Sequence, residues 1–294
     1  MKPFRHFPLL LAGLQVALGV HAVGDSAAAA ADGEVVAIPP GLEDNLVDPS
    51  RVSRHPSFAQ GETLRFKLGW SVFRVARATL VTEPGLYEGL SSLKITLNTR
   101  TNAFADALYK VRNESTSWIS GDVSRSFEYS AIQHEGGRER DTRVLFDKTG
   151  RQARYINHVS GEEREPVDIL TGTFDPLGIV FLIRSIDFDV GDELVVPTSN
   201  GKEFFFTVVR VVEKVERRFA FGRMEAFVLE PDIKDLGGVF KKSPDGELRF
   251  FISADERKLP LRMESEVAVG KFWAELVEIG EPSGTGSVAV TEVD

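Results

Sequence analysis

Between residues 58 and 80 the chain reads FAQGETLRFKLGWSVFRVARATL, with Leu64, Phe66, Leu68 and Trp70 on alternate positions. Thr63, Arg65, Lys67 and Gly69 separate them. Successive side chains of a strand point to opposite faces, so this spacing predicts an extended segment with one apolar face and one wet face. Leu93, Ile95 and Leu97 repeat the pattern, as do Phe127, Tyr129 and Ala131, and Phe250 with Ile252. Between such runs, Thr149-Gly150, Asn200-Gly201 and Asp245-Gly246 supply residues that tolerate positive φ in a tight turn. Pro260 cannot donate to a ladder and is expected at a strand start or an edge. The run EFFFTVVRVVEKV, residues 203 to 215, is more continuously apolar and is expected to be covered on both faces. Counting segments gives roughly 11 to 13 strands, hairpin-connected and so mostly antiparallel. The expected fold class is all-β: a large antiparallel sheet, strongly curved or barrel-like, because long open edges invite aggregation.

One segment breaks the two-residue period. In DPLGIVFLIRSI, residues 175 to 186, Asp175 suits a helix N-cap and Pro176 the first helical position. Leu177, Val180 and Phe181 form one face, and Ile179, Leu182, Ile183 and Ile186 the opposite one. A helix apolar on both sides is buried on both sides. Arg184 falls on the same stripe as Leu177, Val180 and Phe181. A guanidinium there must find a carboxylate or reach the surface, since an unpaired buried charge is strongly unfavourable. Glu62 and Asp255 are its candidate partners; a fold-stabilising ion pair is the first reading and a ligand anchor the second.

The N-terminus has different chemistry. Lys2 and Arg5 precede an apolar run from Leu9 to Val20, and Val20-His21-Ala22 offers a small-residue cleavage pattern, with a later one at Ala27 to Ala31. A run of 12 residues is too short to cross a bilayer as a helix, which takes about 20. Residues 1–22 are therefore expected to be a signal peptide, 23–56 a disordered linker, 57–281 a single β-rich domain and 282–294 a flexible tail. The protein is expected to be periplasmic or otherwise exported, with no membrane span after signal cleavage. The 294 residues are 42% hydrophobic and 27% charged, proportions that suit a packed core under a solvated surface. Absence of cysteine removes disulfides, thiolate metal sites and cysteine nucleophiles. A net charge of −9 argues against a nucleic-acid partner, whose phosphates need cations.

Candidate chemistry is sparse. HEGGR at 134 to 138 begins like a zinc-protease motif, but Arg138 stands where the second histidine belongs and the segment reads as a turn. Within the expected domain His158 is the other histidine, and two isolated histidines do not make a metal site. Asp187, Asp189 and Asp192 are placed out of order for a calcium loop and read as a polar turn. GTGSVA near the C-terminus lacks the strand and helix that aim a glycine-rich loop at phosphate. Asp255, Glu256 and Arg257 read as a charged turn. No Gly-x-Ser-x-Gly elbow is present.

Taken in order, FAQGETLRFKLGW, VARATL, YKVRNES, DPLGIVFLIRSIDFDVGDEL, GRMEAFVLEPDI and GELRFFISADERKLPLRMESEVAVGKFWAEL resemble the exported bacterial family called domain of unknown function 3108. The resemblance covers nearly all of residues 58 to 277. Gly61, Glu62, Trp70, Asp175, Arg184, Asp255, Arg257 and Pro260 occupy its characteristic positions. Val75-Ala76 departs from the glycine often found beside a small residue in that hairpin. The resemblance implies an exported envelope protein with a β-rich domain and implies no activity, substrate or cofactor.

The resulting expectation is an exported cell-envelope protein of unknown molecular activity, a non-enzymatic binding or assembly module able to take an apolar ligand. Its partner would be an unknown envelope component or an apolar small molecule; no catalytic residue, metal or cofactor is expected. The ligand-binding candidates are Arg184, Glu62 and Trp70. The alternative is a carboxylate-dependent hydrolase or lyase acting on envelope polymer, which requires two facing acidic groups. An outer-membrane barrel is disfavoured by the acidic ending VAVTEVD and by charge on alternate strand positions.

Overall fold

In the computed structural model, which describes residues 37–48, 51–53, 56–232, 246–267, 270–280 and 288–289, the first alternating segment becomes β1 (Glu62–Trp70). It is a seam, not an edge. It pairs antiparallel with β2 (Phe73–Tyr87) on one side and β15 (Gly270–Gly280) on the other. One meander leads away through β3 (Leu90–Thr101), β4 (Val111–Ser120), β5 (Ser126–Glu135), β6 (Arg138–Phe146) and β7 (Gln152–Asn157) to the two-residue β8 (Glu162–Glu163). The other runs from β15 back through β14 (Pro260–Val267), β13 (Glu247–Ser253), β12 (Gly222–Pro231) and β11 (Phe204–Phe219) to β10 (Glu193–Ser199). With three two-residue strands included, the described residues form 16 strands in one sheet, so 13 longer ones match the upper end of the expectation.

Leu64, Phe66 and Leu68 are buried while Arg65 is exposed, as the alternation requires. The register of β1 shifts at Arg65/Phe66 against β15 and at Leu68/Gly69 against β2. Such bulges bend the strand and increase its twist. One end of the curled sheet, β10, is tied to β5 by an extended stretch at Thr173–Phe174. Ser126 N–H at the start of β5 donates to the Thr173 carbonyl at 3.1 Å. Phe174 N–H donates to the Pro197 carbonyl of β10 at 2.9 Å, and Ser199 N–H donates to the Phe174 carbonyl at 3.0 Å. The Asn200-Gly201 turn then packs on β6 and β7, with the Lys202 ammonium 4.3 Å from the centre of the Tyr155 ring. Gly201 has a φ of +79°, and a Cβ there would lie 2.8 Å from Val144. Turn conformation and packing both demand glycine. The result is a barrel-like, all-β fold.

The connection between the two meanders carries the central helix, Gly178–Ser185, buried on both faces apart from a half-buried Val180. It is shorter than the expected 175–186 because Pro176 and Leu177 form a turn. There the Asp175 carboxylate accepts the Leu177 and Gly178 N–H groups at 2.9 and 3.0 Å. A four-residue helix, Ala103–Asp106, capped by the Asn102 side chain, was not foreseen.

Three expectations need correction or restriction. The run at 203–215 is not covered on both faces: Phe204 to Val208 are half-buried, and in the middle of β11 only Val209 and Val211 are buried. Phe204 to Val208 pair with β10 alone and Val211 to Phe219 with β12 alone, so each half of β11 has an open edge and little to cover it. Part of the expected linker is docked: Val47 N–H donates to the Val195 carbonyl at 3.0 Å, and Ser53 N–H donates to the Ser185 carbonyl at 2.7 Å. In the expected tail, Val288–Ala289 pairs with β15. The expected signal peptide, residues 23–36, 49–50 and 54–55 of the expected linker and the rest of the tail lie outside the described residues.

Candidate functional site

Arg184 is held where the seam strand and the crossover helix meet. Its side chain has 0% exposure, and its fork grips Glu62 in a bidentate pair, Nη1 to Oε1 at 2.7 Å and Nη2 to Oε2 at 3.1 Å. Its Nε donates to the Lys258 carbonyl at 3.0 Å and Nη2 also donates to the Arg257 carbonyl at 3.3 Å. Those carbonyls belong to the charged turn after β13, where Lys258 adopts an unusual φ of +44°. The guanidinium stacks between Phe58 and Phe181, 4.8 and 5.5 Å from the ring centres. Planar, weakly hydrated Arg suits this slot in a way Lys would not. Asp255, the other candidate partner, accepts from Ser253 Oγ at 2.5 Å and shapes the turn from a distance in sequence of two residues.

A second buried carboxylate lies at the other end of the helix. Asp175 accepts from Ser117 Oγ at 2.5 Å, from Ser126 Oγ at 2.6 Å and from the N–H groups of Leu177 and Gly178. Burial pushes its carboxyl above the ordinary value, and these four donors act in the opposite direction. Gly178 is required because a Cβ would sit 3.0 Å from both Asp175 Oδ2 and Ser126 Oγ. The serine partners were missed from sequence, although Ser115, Ser117 and Ile119 alternate inward and inward hydroxyls need partners.

Trp70 does not join this centre. Eight residues along β1 place it roughly 27 Å from Glu62 at a strand's rise per residue, and Gly270 provides the space beside its indole. His134 pairs with Glu139 at 3.2 Å on an exposed hairpin. Asp187 pairs with Lys258 at 2.8 Å and Asp192 with Arg51 at 3.6 Å. No group of three metal-ligating side chains occurs among the described residues.

Space is distributed unevenly. Beside the helix, between Phe66, Leu80, Leu97 and Val180, the gap measures about 50 Å³. That is well below the roughly 300 Å³ at which small-molecule pockets begin. An apolar cleft of about 410 Å³ opens instead at the mouth of the barrel, between the docked N-terminal segment and the β4–β5 end. Leu46, Val47, Val52, Leu170, Phe174 and Leu182 contribute to its wall. A third space of about 480 Å³ lies over the outer face among Arg249, Arg262, Glu264 and Trp273, and its charges answer one another. Burial alone would raise the Glu264 carboxyl; hydrogen bonds from Arg217 and Arg262 outweigh it and hold it below the ordinary value.

The family model described as "Protein of unknown function (DUF3108)" matches residues 65–277. No curated protein matches the sequence. Among solved structures, a β-barrel-like protein of domain of unknown function DUF1849 from Brucella abortus is similar at 10% identity and a TM-score of 0.45. The alignment covers 76% of this chain and 98% of that one. The hypothetical protein CT021 from Chlamydia trachomatis is similar at 10% identity and a TM-score of 0.32, over 79% and 93% of the two chains.

Proposed function

Because the chain belongs to the family of unknown function DUF3108, whose description assigns no activity, we propose a function from the geometry. The protein is an exported cell-envelope module that works by binding, and it takes an apolar ligand or apolar segment in the cleft at the barrel mouth. The observation that carries this reading is the contrast in volume: about 410 Å³ at the mouth against about 50 Å³ beside the helix. Ligand pockets of small molecules run from about 300 to 1,000 Å³ and are mostly apolar. The Glu62–Arg184 pair lies behind this cleft as the strut that fixes the helix carrying Leu182. Export is supported by the cationic start and short apolar run at the N-terminus.

No helix among the described residues is long and apolar enough to span a membrane. The outward faces of β12 to β15 carry ion pairs such as Arg249–Glu230 and Arg262–Glu275, whereas a lipid-spanning barrel needs an outward apolar band. The test is titration with an environment-sensitive apolar dye, alongside native mass spectrometry after gentle purification. Saturable binding that falls at least about tenfold in Leu170→Glu, with the melting curve unchanged, supports the cleft. A 1.4 kcal/mol loss corresponds to about tenfold. Binding of equal strength in that variant removes the cleft from consideration.

A further inference from the structure

At the barrel end opposite this cleft, two neighbouring connections expose apolar side chains. The β1–β2 turn presents Val72 at 82% exposure and Phe73 at 54%, and the β3–β4 connection presents Phe104 at 60% and Leu108 at 44%. The rings of Phe73 and Phe104 stack with centres 6.3 Å apart, so the two connections form one apolar tip. Such side chains are costly to leave in water and cluster where they meet something.

The register behind this tip is unusual. Lys67 stands opposite Arg77, Arg77 opposite Arg100, and Arg100 opposite Arg112, giving a row of cations across β1 to β4 on the outward face. Like charges directly opposite one another are unfavourable in a sheet. Arg112 is answered by Asp106 at 2.6 Å. Arg77 and Arg100 are exposed and have no acidic partner among the described residues. Lys110 adds a further exposed cation on the same connection as Phe104. This row runs against the sign of the whole chain, which carries −9. The exposed pair Leu86 and Leu90 at the far end has no such row beside it, since Glu88 pairs with Lys148 at 3.1 Å and Glu83 stands opposite Lys94. Arg77 lies four residues behind Phe73, about 13 Å at a strand's rise. An arginine side chain reaches forward from there to phosphates when the tip sits among acyl chains.

We propose that this end of the barrel docks on an anionic lipid bilayer surface, Val72, Phe73, Phe104 and Leu108 entering the interface while Arg77 and Arg100 meet headgroup phosphates. Apolar insertion combined with cationic attraction is how proteins lie on membranes without spanning them. The proposal does not depend on the mouth cleft, which is at the other end, and it leaves that cleft open to the surrounding water.

Co-sedimentation of the purified protein with vesicles tests it. One set is phosphatidylcholine alone and the other phosphatidylcholine with phosphatidylglycerol, each in about 0.1 M and about 1 M salt, where screening lengths are roughly 10 and 3 Å. The expected result is binding at least about tenfold stronger to the anionic vesicles in low salt, most of it lost in high salt. Phe73→Ser with Phe104→Ser should weaken binding to both sets, and Arg77→Gln with Arg100→Gln should weaken it to anionic vesicles alone. All four positions are exposed, so unchanged melting curves confirm intact folds. Failure to bind either vesicle overturns the proposal, as does equal binding to both. So does a tip that mediates self-association instead, seen as a dimer by light scattering that vanishes in Phe73→Ser/Phe104→Ser.

Discussion

Removing one partner of the Glu62–Arg184 pair tests how the fold is held at its seam. Arg184 is fully buried and donates four hydrogen bonds, two to Glu62 and two to the carbonyls of Arg257 and Lys258. Arg184→Met leaves Glu62 as a buried carboxylate without its cation, and the expected loss is about 3–5 kcal/mol. Glu62→Met leaves the guanidinium with two neutral carbonyls and two ring faces, and a similar loss follows. The double substitution removes both charges at once. Its remaining cost is the two carbonyls that lose donors, about 1 kcal/mol each, partly offset by apolar packing between Phe58 and Phe181. The double variant should therefore lie no more than about 2 kcal/mol below the parent, a loss far smaller than the sum of the single losses. Urea unfolding followed by the fluorescence of the three tryptophans provides the free energies. Strictly additive losses, or single losses under about 1 kcal/mol, would mean the pair is incidental to the seam.

Two further outcomes concern single groups. The Asp175 carboxyl is raised by burial, so the unfolded chain ionises first as pH increases past about 4 and the native state then loses relative stability up to its own higher value. Asp175→Asn lacks this slope; its deficit against the parent should narrow between pH 4 and pH 7, measured as urea midpoints, and a deficit that widens refutes the assignment. Gly201→Ala, at a φ of +79° against Val144, should cost about 1–2 kcal/mol or more; an unchanged melting curve would show that the β10–β11 turn is not pressed against β6 and β7 as described.

Local order in this protein was legible along the chain. The alternation in β1, the turn at Asn200-Gly201, the strand start at Pro260 and a helix with two apolar faces follow from side-chain period and turn chemistry, which act between near neighbours. The need of Arg184 for a partner followed from the cost of burying a charge, and that too is a local statement. Which carboxylate answers it did not follow, because Glu62 is 122 positions away and reaches Arg184 only when β1 is inserted between β2 and β15. The exposed face of β11 was misjudged for the same reason: burial is decided by what packs on a strand, and its composition cannot reveal that it outruns its neighbours. The cations at 67, 77, 100 and 112 are unremarkable when read in line, and only the pairing register sets them side by side. Period and turn chemistry thus settled the kind of elements, while long-range pairing, whose partners lie tens of residues apart, decided which charges and which apolar tips came together.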